Sequence, residues 1–444
     1  MQFKKISLSP PQILTIGFAL IILLGALLLM LPISSTTGET LPFVDALFTA
    51  TSATCVTGLV VVDTGTYFST FGQVVIVLLI QVGGLGFMTM ATLFSLVLKR
   101  KISLKDRLLL QEAMNQNSVE GIVRLIRKVL LYSLLIESSA ALLFTIRWAF
   151  DMPFGRALYF GVWHAVSMFN NAGFDLFGEY QSLTKYVADP IVNFVAMFLI
   201  VSGGLGFIVL SDVFEFRKRR KLSLHSKVVL SMTSALILVG AIVIFIFEFT
   251  NSRTLASLSW SGKIWGSFFQ SVTPRTAGAN TLDIGALRQA TQFFIIILMF
   301  IGASPSSTGG GIKTTTFTIL VGAVGSMIRG RTDLVLFRYR MAEERVFKAL
   351  TITMLALFLV VAVAMVLSTT EDASFLSILF ETTSAFGTVG LTMGLTGKLT
   401  VIGKIIISFT MFAGRLGPLT LAYALGPKKG KELYRHPEGK IIIG

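Results

Sequence analysis

The chain has 444 residues, of which 53% are hydrophobic and only 14% are charged. This balance excludes an ordinary soluble domain and is typical of an integral membrane protein, in which apolar segments of roughly 20 residues cross about 30 Å of hydrocarbon. The net charge of +15 could suggest a nucleic-acid-binding protein, but the basic residues lie in short stretches between apolar segments. That pattern favours a role in membrane topology and predicts no nucleic-acid partner.

The sequence offers little for catalysis or metal binding. A single cysteine, Cys55, cannot form an intramolecular disulfide, and the three histidines, His164, His225 and His436, are widely scattered. We recognise no acid and base pair in the apolar segments. We therefore predict that the chain is not an enzyme, holds no transition metal and binds no organic cofactor of its own.

The chain follows one order of elements four times. Its first apolar segment, 13–31, follows Lys4 and Lys5 but is long and lacks a convincing cleavage site, so we interpret it as a membrane span and not a signal peptide. Each repeat then has an outer apolar helix, a short amphipathic pore helix and an inner apolar helix. The repeats lie at roughly 10–98, 122–213, 225–327 and 346–425, within units 1–98, 99–213, 214–327 and 328–425, and 426–444 forms a tail.

A glycine turn follows the pore helix of every repeat. We predict the pore helices at 41–53, 156–169, 260–272 and 375–385, and the final glycines of the turns lie 115, 105 and 112 residues apart. The four glycine turns are Val56, Thr57 and Gly58; Asn171, Ala172 and Gly173; Thr276, Ala277 and Gly278; and Thr388, Val389 and Gly390. This repetition predicts an all-α integral membrane fold of four parallel repeats around a central pore, with eight transmembrane helices and four re-entrant pore helices.

The charge distribution predicts the orientation in the membrane. Basic residues concentrate in the links between repeats, at 99–107, 217–221 and 329–340, and in the tail, whereas acidic residues lie near the glycine turns. By the positive-inside rule, the links and both termini of this multi-pass protein are cytoplasmic. The glycine turns then open to the outside of the cell, where a mildly acidic vestibule would favour cations.

The composition of the glycine turns predicts which ion they bind. Glycine allows unusual dihedral angles and a close backbone approach, so converging turns can surround a dehydrated cation with carbonyl oxygens. None of the four turns contains a carboxylate, which favours a monovalent cation over Ca²⁺. Only the final glycine is common to all four turns, so we expect a short selectivity filter that passes some sodium or rubidium.

The inner segments also resemble one another. Residues 83–87 and 203–207 both read Gly-Gly-Leu-Gly-Phe, and the fourth repeat has Gly-Arg-Leu-Gly-Pro at 414–418. In the first two copies, close helix packing and a functional role remain equally open. The third repeat has a longer polar run that cannot be a regular lipid-facing helix, and we predict that it is a gate, with a kink used only for packing as the alternative. This intramembrane loop, 302–313, includes Gly302, Ala303, Ser304, Pro305, Ser306, Ser307, Thr308, Gly309, Gly310, Gly311 and Lys313.

Two arginines qualify this interpretation. Arg275 precedes the third glycine turn and would repel cations if it faced the pore axis, so we expect it to turn outward onto an acid, with Glu381 as a candidate. Arg415 lies in the fourth inner segment, where an unpaired charge is costly. We predict that Arg415 belongs to the gate and raises a barrier beneath the filter, and a structural ion pair is the alternative.

The joint pattern of four glycine turns, the intramembrane loop and Arg415 resembles the Trk/Ktr/HKT superfamily of potassium transport proteins, most closely the bacterial KtrB type of membrane subunit. The resemblance covers essentially the whole chain. It implies a homodimer with one pore per protomer, gated by the intramembrane loop and often stimulated by Na⁺. Plant HKT proteins can carry serine at the first filter glycine, so Gly58 suggests a potassium-preferring form.

The same resemblance implies a cytosolic ring of KtrA-like regulatory subunits that bind ATP, ADP or NAD(H). The chain has no nucleotide-binding fingerprint of its own, and its basic links and tail are a plausible docking face, or serve only topology and lipid contact. A second class of function stays open: a cation-coupled secondary transporter that uses the broken third-repeat helix as its substrate site. Parallel repeats and four filter-like turns argue against it.

Overall fold

A computed structural model of the chain describes residues 9–86, 89–90, 92, 95, 104–113 and 121–425. The predicted basic stretch at 99–103 and the tail from residue 426 lie outside the described residues. Within the described part the fold is helical, apart from a hairpin in the last link, where Val335–Leu336 pairs antiparallel with Tyr339–Arg340. Short helices also occupy Thr64–Tyr67 and Leu104–Ala113, and 3-10 turns occupy Pro32–Ser34, Thr184–Tyr186, Ile284–Ala286 and Thr396–Lys398.

The outer helix of each repeat is long and unbroken. These helices have 20, 27, 25 and 28 residues, and each is long and apolar enough to cross a membrane. Their bounds are Pro10–Leu29, Ile122–Trp148, Leu224–Glu248 and Glu343–Thr370. Many large apolar side chains on them are exposed, which is expected of helices that face lipid.

The pore helices are shorter and buried, and their bounds agree with the sequence prediction to within two residues. They are Phe43–Thr54, Phe154–Phe169, Trp260–Val272 and Phe375–Gly387. Pro42 and Pro153 precede the first two, and the others begin at serine caps, where Ser259 accepts from the Gly262 N–H at 3.2 Å. Their faces supply much of the core, whose largest fully buried side chains include Phe48, Trp163, Phe169, Phe269, Phe380 and Phe386.

All four inner segments are interrupted, whereas the sequence predicted a break in the third. The first halves are Thr70–Leu85, Pro190–Leu205, Gln289–Phe300 and Val401–Leu416. Gly86, Gly206 and Gly417 end three of them with φ of 84°, 90° and 84°, values that a helix cannot hold. The chain then resumes as Phe207–Arg219, bent by 104° in the second repeat, and as Pro418–Leu425 in the fourth. In the third repeat the intramembrane loop separates the first half from Thr314–Ile328.

The inner helices also pack closely on the pore helices. A Cβ added to Gly83, Gly203 or Gly414 would overlap the backbone carbonyl of Thr54, Phe169 or Phe386, respectively, at the end of a pore helix. In the Gly-Gly-Leu-Gly run, the first glycine therefore lets the two backbones approach, and the last glycine ends the helix.

Buried acids join the outer helix to the inner helix in repeats three and four. Glu248 accepts from the backbone N–H of Arg288, and Glu371 accepts from that of Thr400, both at 2.9 Å. Arg288 and Thr400 are the N-cap residues of the two inner helices. A carboxylate at a helix N-terminus is favourable, so these contacts fix where each inner helix begins and, with it, the position of the following glycine break.

The close approach at Gly83 gives a prediction about stability. Gly83→Ala is expected to destabilise the fold by about 1–3 kcal/mol, because the added methyl group overlaps the Thr54 carbonyl. Thermal unfolding of the purified protein in detergent measures this as a lower apparent melting temperature. Gly325→Ala is the matched control, since nothing lies within 4 Å of an added Cβ there. Equal melting temperatures for the two variants would contradict the packing argument.

Candidate functional site

The four glycine turns meet in a closed ring. In each turn, a Cβ added to the final glycine would overlap the carbonyl oxygen of the residue before the final glycine of the next repeat. The pairs are Gly58 with Ala172, Gly173 with Ala277, Gly278 with Val389, and Gly390 with Thr57. Since the fourth repeat returns to the first, the turns surround one common axis, and only glycine fits at these four positions.

The carbonyl groups of the turns are free to face this axis because the backbone N–H groups face away from it. Each middle residue of a turn donates its N–H back to the end of its own pore helix. These bonds run from Thr57 to the Ser52 oxygen at 2.7 Å, from Ala172 to Ser167 at 2.8 Å, from Ala277 to Thr273 at 2.9 Å, and from Val389 to Ser384 at 2.8 Å. The Ser52 and Ser384 hydroxyls also accept from the Gly58 and Gly390 N–H groups, both at 3.1 Å.

The first residue of each turn is strained, a feature that sequence reasoning missed. Val56, Asn171, Thr276 and Thr388 have φ of 58°, 61°, 72° and 49°. Such angles suit asparagine but cost a β-branched residue about 1–3 kcal/mol. The glycine two positions later is also left-handed, so each turn contains two residues with positive φ. The only sequence signal for this conformation is the fixed distance from the final glycine, because valine and threonine rarely adopt a positive φ.

Some acidic side chains near the glycine turns are neutralised by basic partners. Asp45 pairs with Lys404 at 2.6 Å, and Asp151 pairs with Arg147 at 3.0 Å. Asp175, two residues after Gly173, keeps partial contact with solvent and accepts from the Phe177 N–H at 3.0 Å. Burial raises the pKa of Asp175 to about 7, so its negative charge is lost as the pH falls through neutrality.

The intramembrane loop lies directly against the third and fourth glycine turns. The Gly310 N–H donates to the Thr388 hydroxyl at 2.9 Å, and a Cβ on Gly309 would overlap the Thr276 hydroxyl. A Cβ added to Gly302 would likewise overlap the Gly310 carbonyl within the loop. The loop therefore reaches the ring through glycines, where any side chain would be excluded.

Backbone hydrogen bonds also join the loop to the second inner segment. The Ser304 N–H donates to the Gly204 carbonyl at 3.0 Å, and the Phe207 N–H donates to the Ser306 carbonyl at 2.9 Å. Ala303, Ser304, Thr308, Gly309, Gly310 and Gly311 are buried, whereas Pro305, Ser306 and Ser307 are partly exposed. Most of the loop is thus buried against the turns and the second inner segment, and one short part of it is partly exposed.

Two basic side chains hold the loop through uncharged oxygens. Lys313 donates to the Gly309 carbonyl at 2.7 Å and to the Gly310 carbonyl at 3.3 Å. Arg415 donates to the carbonyls of Thr308, Gly83 and Gly84. Within the described residues neither side chain forms an ion pair, so the alternative of a structural ion pair at Arg415 is not observed. Arg415 instead connects the loop to the first inner helix.

The expected contact between Arg275 and Glu381 is wrong. Arg275 points between the second inner helix and the third outer helix, toward Thr233, and its Nε and Nη1 atoms have no hydrogen-bond partner in the described part of the chain. Glu381 instead accepts from the hydroxyls of Thr392, at 2.7 Å, and Thr396, in the segment after its own turn. The two residues diverge because they belong to neighbouring repeats whose side chains face different outer helices.

The described residues contain no group of three or more His, Cys, Asp or Glu side chains that could hold a metal ion. His164 has a structural role instead. Its Nδ1 donates to the Phe160 carbonyl at 2.8 Å, and its Nε2 accepts from the Leu176 N–H at 3.2 Å. The imidazole thereby ties the second pore helix to the segment that follows its glycine turn.

Comparisons with known proteins agree with this geometry. A family model described as "TrkH: Cation transport protein" matches residues 12–428. The chain is 48% identical to Ktr system potassium uptake protein B of Bacillus subtilis (strain 168), covering 99% of this chain and 98% of that protein. It is 41% identical to potassium/sodium uptake protein NtpJ of Enterococcus hirae, covering 98% of each. The fold matches the crystal structure of the potassium transporter TrkH from Vibrio parahaemolyticus with a TM-score of 0.74 at 17% identity, over 96% of this chain and 86% of that one.

Proposed function

The chain belongs to the TrkH family of cation transport proteins, and we propose that it takes up potassium across the cell membrane through the ring of glycine turns. The observation that supports this most directly is the cyclic contact of the four turns, each glycine facing a carbonyl of the next repeat. Such a ring can replace the water shell of a bare monovalent cation. The twelve residues of the turns would form the selectivity filter.

Electrostatics favours a cation at this ring. The four pore helices end at the turns, and the C-terminal end of each helix dipole carries roughly half a negative charge. With carbonyl oxygens and no carboxylate at the ring, the field suits K⁺ better than a divalent ion. The membrane potential would drive uptake, since 100 mV supplies about 2.3 kcal/mol per charge. The Enterococcus hirae relative is named a potassium/sodium uptake protein, in keeping with our proposal that some sodium also passes.

We propose that the intramembrane loop is the gate. Its glycines contact the third and fourth turns, and Lys313 and Arg415 hold its carbonyls. While the loop stays there it blocks the path beneath the filter, and the positive charge of Arg415 adds a barrier to a passing cation. A displacement of the loop opens the path and leaves the ring intact.

We further propose a homodimer with one pore per protomer and with both termini in the cytoplasm. In this proposal a cytosolic ring of KtrA-like subunits that bind ATP, ADP or NAD(H) docks on the basic links and the tail, and Na⁺ stimulates uptake. The Bacillus subtilis relative is named as protein B of a Ktr system, which is compatible with a further component. Lipid is the other partner that the exposed apolar helices require.

Potassium-dependent growth tests the proposed function. Cells that lack their own potassium uptake systems should grow at limiting potassium when they express this chain, and sodium should improve that growth. In proteoliposomes, we expect reversal potentials that follow the potassium gradient, because the ring conducts passively. A fixed stoichiometric dependence on the sodium gradient would instead indicate the coupled transporter, and failure to move potassium at all would refute the proposal.

Gly58→Ser tests the selectivity filter. The added side chain would overlap the Ala172 carbonyl, at a residue whose φ is 92°, so it should displace one carbonyl of the ring. We expect the ratio of potassium to sodium permeability to fall several-fold, as measured by reversal potentials. Gly394→Ser is the matched control, because Gly394 has a similar φ of 87° with nothing within 4 Å. A wild-type ratio in Gly58→Ser would count against the filter.

Removal of the obstruction tests the gate. Deleting residues within 304–311 should raise unregulated potassium flux into proteoliposomes, because the filter remains while the block is lost. Arg415→Gln should raise flux in the same direction by releasing the Thr308 carbonyl and removing the positive charge. The ratio of potassium to sodium permeability should stay at its wild-type value in both. Unchanged or lower flux from an equal amount of folded protein would contradict a gating role.

A further inference from the structure

Glu137 is a buried carboxylic acid in the middle of the second outer helix. It is the sixteenth of the 27 residues of Ile122–Trp148, and it is 8% exposed. Among the four outer helices it is the only acidic residue away from a helix end. An acid at this depth is costly and needs partners, so its presence calls for a specific role.

The partners of Glu137 are two side-chain amides. The Nε2 of Gln81, on the first inner helix, donates to the two carboxylate oxygens at 3.3 and 3.2 Å. The Nδ2 of Asn170 donates to Glu137 at 3.3 Å and to the Oε1 of Gln81 at 2.7 Å. The three side chains therefore form one network across the second outer helix, the first inner helix and the second pore helix. Within the described residues no lysine or arginine pairs with Glu137.

Asn170 carries this network to the ring. It ends the second pore helix and directly precedes Asn171, the strained first residue of the second glycine turn. Asn171 in turn donates its Nδ2 to the carbonyl of Arg275 and to the hydroxyl of Thr276, both at 3.2 Å. A change in the orientation of Asn170 would therefore reach the second turn directly and the third turn through Asn171.

The network also contacts the backbone that holds Arg415. A Cβ added to Gly84 would overlap the amide group of Asn170, so these two residues are in close contact. The carbonyl of Gly84 accepts from Arg415 at 3.1 Å. Asn170 and Arg415 thus both contact Gly84. Asn170 packs against the Cα of Gly84, and Arg415 donates to its carbonyl oxygen.

We propose that Glu137 is a positioning residue for the selectivity filter: its carboxylate orients Asn170, and through Asn170 it sets the shape of the second and third glycine turns. This inference rests on the proposed function, because it assumes that the ring of turns selects the ion. The other three residues at the position of Asn170 are Cys55, Arg275 and Gly387, so the second turn alone has this amide anchor. The carboxylate matters as an acceptor, since each of its described hydrogen bonds is a donation from an amide.

An exchange of the acid and the amide tests the proposal. Glu137→Gln replaces one acceptor oxygen by an NH₂ group, which cannot accept from the amides of Gln81 and Asn170. We expect the ratio of potassium to sodium permeability to fall about five- to tenfold. The double variant Glu137→Gln with Gln81→Glu returns one carboxylate to the same network, and it should restore most of the ratio. Glu215→Gln is the control. Glu215 pairs with Lys128, which lies on the same outer helix as Glu137 but away from the turns. We expect a wild-type ratio for that variant.

Reversal potentials in proteoliposomes supply these ratios, and thermal unfolding shows whether each variant is folded. A purely structural role would lower the melting temperature and leave the ratio unchanged, and that result would overturn the proposal. A loss of selectivity that the exchange does not restore would overturn it too. If Glu137→Gln does not fold, Glu137→Asp takes its place: it keeps the acceptor but withdraws it by one methylene group, and a wild-type ratio in the folded variant refutes positioning. Wild-type protein without selective potassium transport would refute the proposed function instead.

Discussion

The proposed filter depends on backbone carbonyl groups that have no hydrogen donor among the described residues. Such groups are rare in buried positions, because an unpaired carbonyl is costly there. Here the N–H groups of the turns are used by the pore helices, so the oxygens have no donor in the ring. The first and last residues of each turn are left-handed, and the absence of Cβ atoms at the final glycines leaves room for the carbonyl of the next turn. In the proposed function, a bound cation would complete the bonding that the turns leave open.

Much of this architecture could be predicted from the sequence, because its signals repeat. Four similar spacings and the pattern of apolar segments gave the pore helices to within two residues. The strain at Val56 and Thr388 could not be predicted, since it is imposed by the ring and opposed by local preference. The break at Gly206 was missed because an uncharged apolar run looks the same whether or not it bends. Arg275 was assigned to the wrong partner because sequence distance does not reveal which neighbouring helix a side chain faces.

The two basic residues beneath the ring share an unusual environment. Lys313 and Arg415 both bind backbone carbonyls in the described structure, and neither binds a carboxylate. A pair of opposite charges here would hold the loop tightly and cancel the field at the pore. Neutral partners hold the loop with modest energy and leave the positive charge in place. If the loop is the gate that we propose, the same contacts would serve both a segment that moves and a barrier that acts on cations.

The ring is built from four unlike turns on a single chain, and this has a consequence for how the protein can change. In an assembly of four identical subunits, one altered codon changes all four sides of the conduction path at once. Here it changes a single quadrant, so a substitution at Gly58 leaves the other three glycines in place. Ion preference can then drift in small steps during evolution. Among the described residues the loop likewise meets the turns unequally, since it contacts the third and the fourth through Thr276 and Thr388.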